Sequence, residues 1–219
     1  MQVATVVITA LVVTVRSVVG DAADHTFAAV LNVGIQPAAV LLPIAGILLV
    51  TSEWSQRTGM ITFTLVPVRS RILGAKLIAS LTLALAALML AVTVVAAGVL
   101  LSSPGVDGTW SDAAALTGQS AVFLTTGMVI GVAFGAVLLA TTPAIVALTA
   151  LPIAWTAVAS LPVFADAAPW LDTRLALAPL HQEVLNATQW AQAGTALALW
   201  MLLPLLIGIR RITRREVAA

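Results

Sequence analysis

Six long stretches of the chain are almost entirely apolar, and short polar segments separate them. Each stretch is long enough for an α-helix to cross the hydrocarbon core of a bilayer. The pattern therefore predicts an all-α polytopic membrane protein with a single transmembrane domain, residues 1–219. The predicted spans are about 3–19, 27–50, 72–101, 113–140, 144–164 and 191–209.

Two of these boundaries need an argument. Residues 113–164 are apolar for too long to form one helix, and Thr141-Thr142-Pro143 is the expected break because proline disfavours a helical residue before it. The first stretch has only Met1 and Gln2 before it, whereas a secretory signal has Lys or Arg ahead of its apolar core. We therefore expect residues 3–19 to be a retained span.

Composition agrees with a membrane location. Of the 219 residues, 61% are hydrophobic and 9% are charged, and the mean hydropathy is +1.10. Soluble domains have about a quarter of their residues charged. The chain has no cysteine, which excludes disulfides, thiolate metal sites and a cysteine nucleophile.

The polar segment between the second and third spans, residues 51–76, holds one Glu, three Arg and the only Lys of the chain. Trp54, Thr58, Ile61 and Leu65 have helical spacing and would share one face, and Pro67 would end the helix. Glu53 and Arg57 are four residues apart, where an ion pair can form on a helix; the spacing predicts a short amphipathic helix at the membrane surface.

This segment resembles the first cytoplasmic loop of permeases from ABC exporters of the type-2 class. Arg57 stands where many members have glycine, and the basic elbow helix that usually begins these permeases has no counterpart before residue 3. The resemblance is carried by Glu53-Trp54, Arg57-Thr58, Thr62-Phe63, Leu65, Pro67, Arg69, Arg71 and Ala75-Lys76.

The resemblance implies a function for several parts of the chain. The loop, including Ile61, would be a coupling helix in a groove of a separate ABC ATP-binding subunit, which would carry ATP and Mg²⁺. Two permease subunits, identical or different, would form the substrate path, lined by the second and fifth spans. An external re-entrant helix is expected between the fifth and sixth spans. The candidate path residues are polar and lie on one face of each of these two spans: Asn32 and Gln36 on the second, and Thr149, Thr156 and Ser160 on the fifth.

Charge predicts the orientation. Eight of the ten basic residues lie on the membrane side that holds the polar loop and the carboxyl-terminal tail: Arg57, Arg69, Arg71, Lys76, Arg210, Arg211, Arg214 and Arg215. The opposite loops hold seven of nine acids: Asp21, Asp24, Asp107, Asp112, Asp166, Asp172 and Glu183. Because basic loops stay inside, we expect a multi-pass cell-membrane protein with both termini cytoplasmic.

Motifs for other chemistry are missing from the sequence. Lys76 follows Leu73-Gly74-Ala75, which is not a phosphate-binding loop, so we expect no ATPase activity and no cofactor in this chain. His181 and Glu183 do not belong to an HExxH motif, and we expect no metal site. Gly118-Gln119-Ser120 lacks a partner histidine for a serine nucleophile and is interpreted as a polar helix start.

Some patterns leave alternatives open. Gly127, Gly131 and Gly135 lie on one face of the fourth span, which favours close helix packing within the bundle over a dimer seam. The polar span residues could instead hydrogen bond between helices or to their own backbone, and the basic loop could simply contact anionic lipid. The preferred function is a permease subunit with no nucleic-acid partner; the alternatives are an intramembrane enzyme and a membrane anchor for a partner protein.

Overall fold

The computed structural model describes residues 26–55, 69–102, 109–159 and 161–214, and over these residues the chain is helical. The main helices are α1 Phe27–Gly34, α2 Gln36–Ser55, α3 Arg69–Ser102, α4 Ala113–Leu138, α5 Thr141–Ala159, α6 Ala168–Leu171, α7 Thr173–Leu177, α8 Ala187–Leu197 and α9 Leu203–Arg214. Short 3₁₀ helices cover Pro162–Phe164 and Ala178–His181, and a π-helix, Ala198–Leu202, joins α8 to α9.

Five stretches of the described residues are long and apolar enough to cross a membrane. They are Phe27–Ser52, Gly74–Leu100, Ala113–Leu138, Thr141–Ala159 and Ala187–Arg211. Over the described residues the prediction of a helical membrane protein is confirmed, whereas the six-span count and the coupling helix stay predictions. The predicted first span, residues 3–19, and most of the predicted coupling helix lie outside the described residues.

The closest helix packing joins α2 to α4. A Cβ atom on Gly131 would lie 2.7 Å from the Pro43 carbonyl carbon, and one on Gly46 would lie 2.9 Å from the Val132 nitrogen. Two backbones can approach this closely only where side chains are absent. The predicted glycine face of the fourth span therefore lies against the second span inside the same chain.

The turn between α4 and α5 comes at Leu139, slightly before the predicted break. Leu139 has a φ of 54°, and its N–H donates to the Gly135 carbonyl oxygen at 2.8 Å, which satisfies a carbonyl of the last helical turn. Pro143 lies in the first turn of α5, where its missing N–H breaks no hydrogen bond. The fourth span therefore ends at Leu138, and the fifth runs from Thr141 to Ala159.

One end of the bundle, which we call the basic end, contains the last residues of α2, α4 and α9 and the first residues of α3 and α5. Thr51 and Thr141 share a hydrogen bond of 2.8 Å there. Lys76 Nζ donates to the Leu49 carbonyl oxygen at 2.7 Å, and an Arg211 N–H donates to the Val137 carbonyl. Each of these bonds joins two neighbouring spans, and the Arg211 contact lies in the last turn of α4, where a cation is favourable.

The opposite end, which we call the acidic end, contains Asp112, Asp166, Asp172 and Glu183. There Phe27 N–H donates to the Thr109 carbonyl oxygen at 2.9 Å, and the Phe27 and Trp110 rings are 5.4 Å apart. Most charges of the described residues are therefore separated along the bundle axis, and Arg174 at the acidic end and Glu53 in the last turn of α2 are exceptions.

Apolar side chains cover the outside of the bundle as well as its inside. On α3, Ile78, Met89 and Leu90 are each about two-thirds exposed, and on α5 Ile153 is 64% exposed. Such wide apolar exposure along long helices is expected for surfaces that face lipid or another membrane protein.

Candidate functional site

The segment between the fifth and last spans, residues 161–186, folds over the acidic end, and we call it the cap segment. Leu177, Leu180 and Leu185 from this segment pack in one apolar cluster with Ala193 of α8. The cap segment therefore has a buried core, and several polar side chains fix it to the spans.

Gln119 of α4 holds the cap segment from below. Its side chain is 6% exposed, and its Nε2 donates to the carbonyl oxygens of Leu180 at 3.2 Å and Glu183 at 2.7 Å. Its Oε1 accepts from the Leu185 N–H at 2.9 Å. One buried carboxamide thus satisfies three backbone groups of a turn that has no regular helical pairing there.

Asp172 fixes the cap segment to α5. The residue is 1% exposed; its Oδ1 caps α7 by accepting from the Arg174 N–H at 2.8 Å, and its Oδ2 accepts from the Thr156 hydroxyl at 3.2 Å. The last span contributes Trp200, whose Nε1 donates to the Leu171 carbonyl oxygen at 2.7 Å. The cap segment is therefore attached to three spans.

His181 lies at the inner surface of the cap segment and is 6% exposed. Its ring centroid is 4.6 Å from that of Phe123, and its Nε2 is 3.4 Å from Gln36 Nε2, which also donates to Asn32 Oδ1 at 3.4 Å. With the Gln36 amide as donor, His181 Nε2 accepts and the neutral ring carries its proton on Nδ1. That Nδ1 is buried and has no hydrogen-bond partner among the described residues.

Beneath the cap segment lies a cavity of about 400 Å³, which we call the polar cavity. Gln36, Thr173, Arg174 and His181 supply its polar lining. The rest is apolar and comes from several spans, including Pro43, Phe123, Phe134, Pro152 and Trp200. A volume in this range, mostly apolar walls and a few polar groups are typical of sites for small ligands.

A second cavity of about 400 Å³, which we call the apolar cavity, adjoins the first because both are lined by Phe134 and Trp200. It extends toward the basic end between α4, α5 and the last span, where Val137, Leu151 and Ile207 line it. Trp155 also lines it, with its ring centroid 6.5 Å from that of Trp200. The two cavities together follow α4 from Phe123 to Leu138.

The predicted path residues that the structure describes lie in different surroundings. Gln36 lines the polar cavity, and Asn32 hydrogen bonds to it. The Thr149 hydroxyl donates to its own helix, at 3.0 Å from the Ile145 carbonyl oxygen, and Thr156 holds Asp172. Ser160 lies outside the described residues.

Sequence reasoning missed Gln119, Arg174 and His181. The one signal for Gln119 was a carboxamide inside an otherwise apolar span, since such groups face protein or a cavity.

The predicted coupling residues are only partly described. Arg57, Thr58, Ile61, Phe63, Leu65 and Pro67 lie outside the described residues. Glu53 and Trp54 belong to the last turn of α2, and Arg69 and Arg71 to the first turn of α3. Lys76 is the one member whose contact is visible, with the Leu49 carbonyl.

Within the described ranges, no three His, Cys, Asp or Glu side chains are grouped as metal ligands. No known protein family, curated protein or solved structure matches this chain.

We expect the docking of the cap segment to depend on pH through His181. Burial lowers the pKa of His181 below its ordinary value near 6.5, because the charged ring loses its hydration. The neutral His181 ring therefore stabilises the docked cap segment fully above its ordinary pKa. This stabilisation is lost as the pH falls from the ordinary pKa through the lowered pKa.

We expect the hydrogen-exchange rate of residues 173–186, corrected for intrinsic rates, to increase as the pH is lowered from about 7.5 to about 5.5. His181→Gln should remove this dependence. An equal rise in wild type and variant would show that His181 is not the responsible group.

Proposed function

We propose that this chain is the permease subunit of an ATP-driven exporter of the type-2 ABC class, working as a dimer with two separate ATP-binding subunits. The observation that carries the proposal is the motif from Glu53 to Lys76, between two stretches that can span a membrane. α2 ends at Ser55 and α3 begins at Arg69, so the described residues on either side of this loop both lie at the basic end.

The positions of the charges support a cytoplasmic location for that loop. Lys76, Arg210 and Arg211 lie at the basic end, and Asp166, Asp172 and Glu183 lie at the other. Positively charged segments stay on the cytoplasmic side of membranes. The proposed orientation therefore places the loop and the carboxyl-terminal tail in the cytoplasm, within reach of a soluble ATPase, and the cap segment outside.

The contacts at the basic end suggest how a force on the loop would reach the spans. The hydrogen bond from Lys76 to the Leu49 carbonyl joins the start of α3 to the later turns of α2. The close contact of Gly131 with Pro43 joins α2 to α4. Closure of the ATPase pair would thus move three helices together, as alternating access by rigid bodies requires.

A substitution in the loop tests the proposal. Leu65→Asp would place a charge in the apolar contact with the ATPase subunit, at a cost of several kcal/mol. We expect the variant to lose co-purification with the ATP-binding subunit and ATP hydrolysis in reconstituted vesicles. Arg69→Gln is the matched control and should leave both co-purification and ATP hydrolysis close to wild type. Solvated rim charges contribute less than about 1 kcal/mol to binding.

Insertion and orientation have to stay normal for this test to be informative. Because the chain has no cysteine, single cysteines report them directly. Val163→Cys, which replaces an 88% exposed residue of the cap segment, should react with an impermeant thiol reagent in intact cells. Ala140→Cys, at the exposed turn of the basic end, should react only after lysis. If Leu65→Asp assembles and couples like wild type, the permease proposal fails.

A further inference from the structure

Arg174 is unusual among the basic residues because it lies at the acidic end. It is the one Lys or Arg in residues 161–186 of the sequence, and it lines the polar cavity. The neighbouring carboxylates bind elsewhere: Asp172 accepts from the Thr156 hydroxyl, and Glu183 Oε1 accepts from Gln189 Nε2 at 2.6 Å. Arg174 is exposed and lines this cavity, so the planar donors of its guanidinium can bind an anionic group there.

The lining changes from polar to apolar away from Arg174. Gln36 and His181 lie in the polar cavity with Arg174, whereas the adjoining apolar cavity is lined by Trp155 and other apolar side chains. Leu203 and Ile207, at its margin, are 49% and 47% exposed, so this cavity opens toward the side of the bundle.

The combined length of the two cavities matches that of an extended hydrocarbon chain. From Phe123 to Leu138 along α4 the distance is about 22 Å, at about 1.5 Å per residue. A flexible single chain can follow this course past Phe134 and Trp200, which line both cavities. A bulky compact ligand would occupy only one of them.

We infer that the two cavities form a binding site for a single-chain amphiphile of the bilayer that has a carboxylate or phosphate head. The head binds Arg174 beneath the cap segment, and the chain lies in the apolar cavity. The site lies within one polypeptide and needs neither the ATP-binding subunit nor a second permease. Its test is therefore independent of the test of the proposed transport function.

The test uses the purified full chain alone in phosphatidylcholine nanodiscs, with 11-bromoundecanoate as the probe. Bromine quenches tryptophan fluorescence at short range, and Trp155 and Trp200 line the apolar cavity. We expect a saturable quenching component in wild type. Arg174→Gln should raise the half-saturating concentration by about tenfold or more, the loss expected for a charge-assisted hydrogen bond.

Matched controls separate the site from the surrounding bilayer. Arg210→Gln, a change at the basic end, should behave like wild type. The neutral 11-bromoundecanol should give no saturable component, and excess acetate should not displace the carboxylate probe, which distinguishes a lipid from a free anion. Absence of saturable quenching in wild type, an unchanged half-saturation in Arg174→Gln, or full displacement by acetate would each overturn the inference.

Discussion

Replacing Gly131 by alanine is expected to destabilise the bundle strongly, although only one methyl group is added. That methyl would overlap the Pro43 backbone, at 2.7 Å from the carbonyl carbon and 2.9 Å from Cα. Backbone atoms inside a helix cannot rotate away as a side chain can, so α2 and α4 must separate. Overpacking of this kind costs about 3 kcal/mol, which corresponds to a fall in the unfolding midpoint on the order of 10 °C.

The matched control is Gly118→Ala, on the same helix. A Cβ at Gly118 meets nothing within 4 Å, and alanine favours a helix over glycine by about 1 kcal/mol. Thermal unfolding followed by near-ultraviolet circular dichroism should therefore show a lower midpoint for Gly131→Ala and an unchanged or higher midpoint for Gly118→Ala. Equal midpoints for the two variants would mean that α2 and α4 are not in contact at Gly131.

The glycines of α4 show how much of a membrane bundle can be predicted from sequence. The spacing of Gly127, Gly131 and Gly135 was enough to predict a packing face, because period and residue size are local properties. The partner was not predictable, since nothing in the sequence around Pro43 shows which helix it meets. The same holds for the apolar runs, whose lengths predicted the five described spans within a few residues but not their neighbours.

The candidate site was less predictable than the fold. Gln36 and His181 are 145 positions apart, and their contact depends on how deeply the cap segment packs against α4. Sequence spacing alone treated His181 as an external loop residue because it has no ligand motif nearby. Arg174 is a basic residue in a region where the other charges are acidic, and nothing in the sequence indicates that it lines a cavity. The fold shows this, because Thr173 and Trp200 line the same cavity.

Replacing Gln119 by alanine is expected to release the cap segment while leaving the spans assembled. The change leaves the Leu180 and Glu183 carbonyls and the Leu185 N–H without their carboxamide partner. A buried backbone group without a partner costs about 1–3 kcal/mol. Since the helices of the spans pack against one another without Gln119, we expect local opening of the cap segment rather than global unfolding.

Single cysteines can measure this opening because the chain has none of its own. A cysteine at Leu180, which is 0% exposed, should be protected in wild type, and one at Leu175, which is 54% exposed, should react freely. Gln119→Ala should speed labelling at position 180 on the order of a hundredfold, the factor for about 3 kcal/mol, and leave position 175 unchanged. Thr195→Val, which removes an exposed hydrogen bond to the Trp170 carbonyl, should change neither rate by much. Protection of position 180 that survives Gln119→Ala would show that the leucine cluster and the other polar contacts hold the cap segment over the polar cavity without the carboxamide.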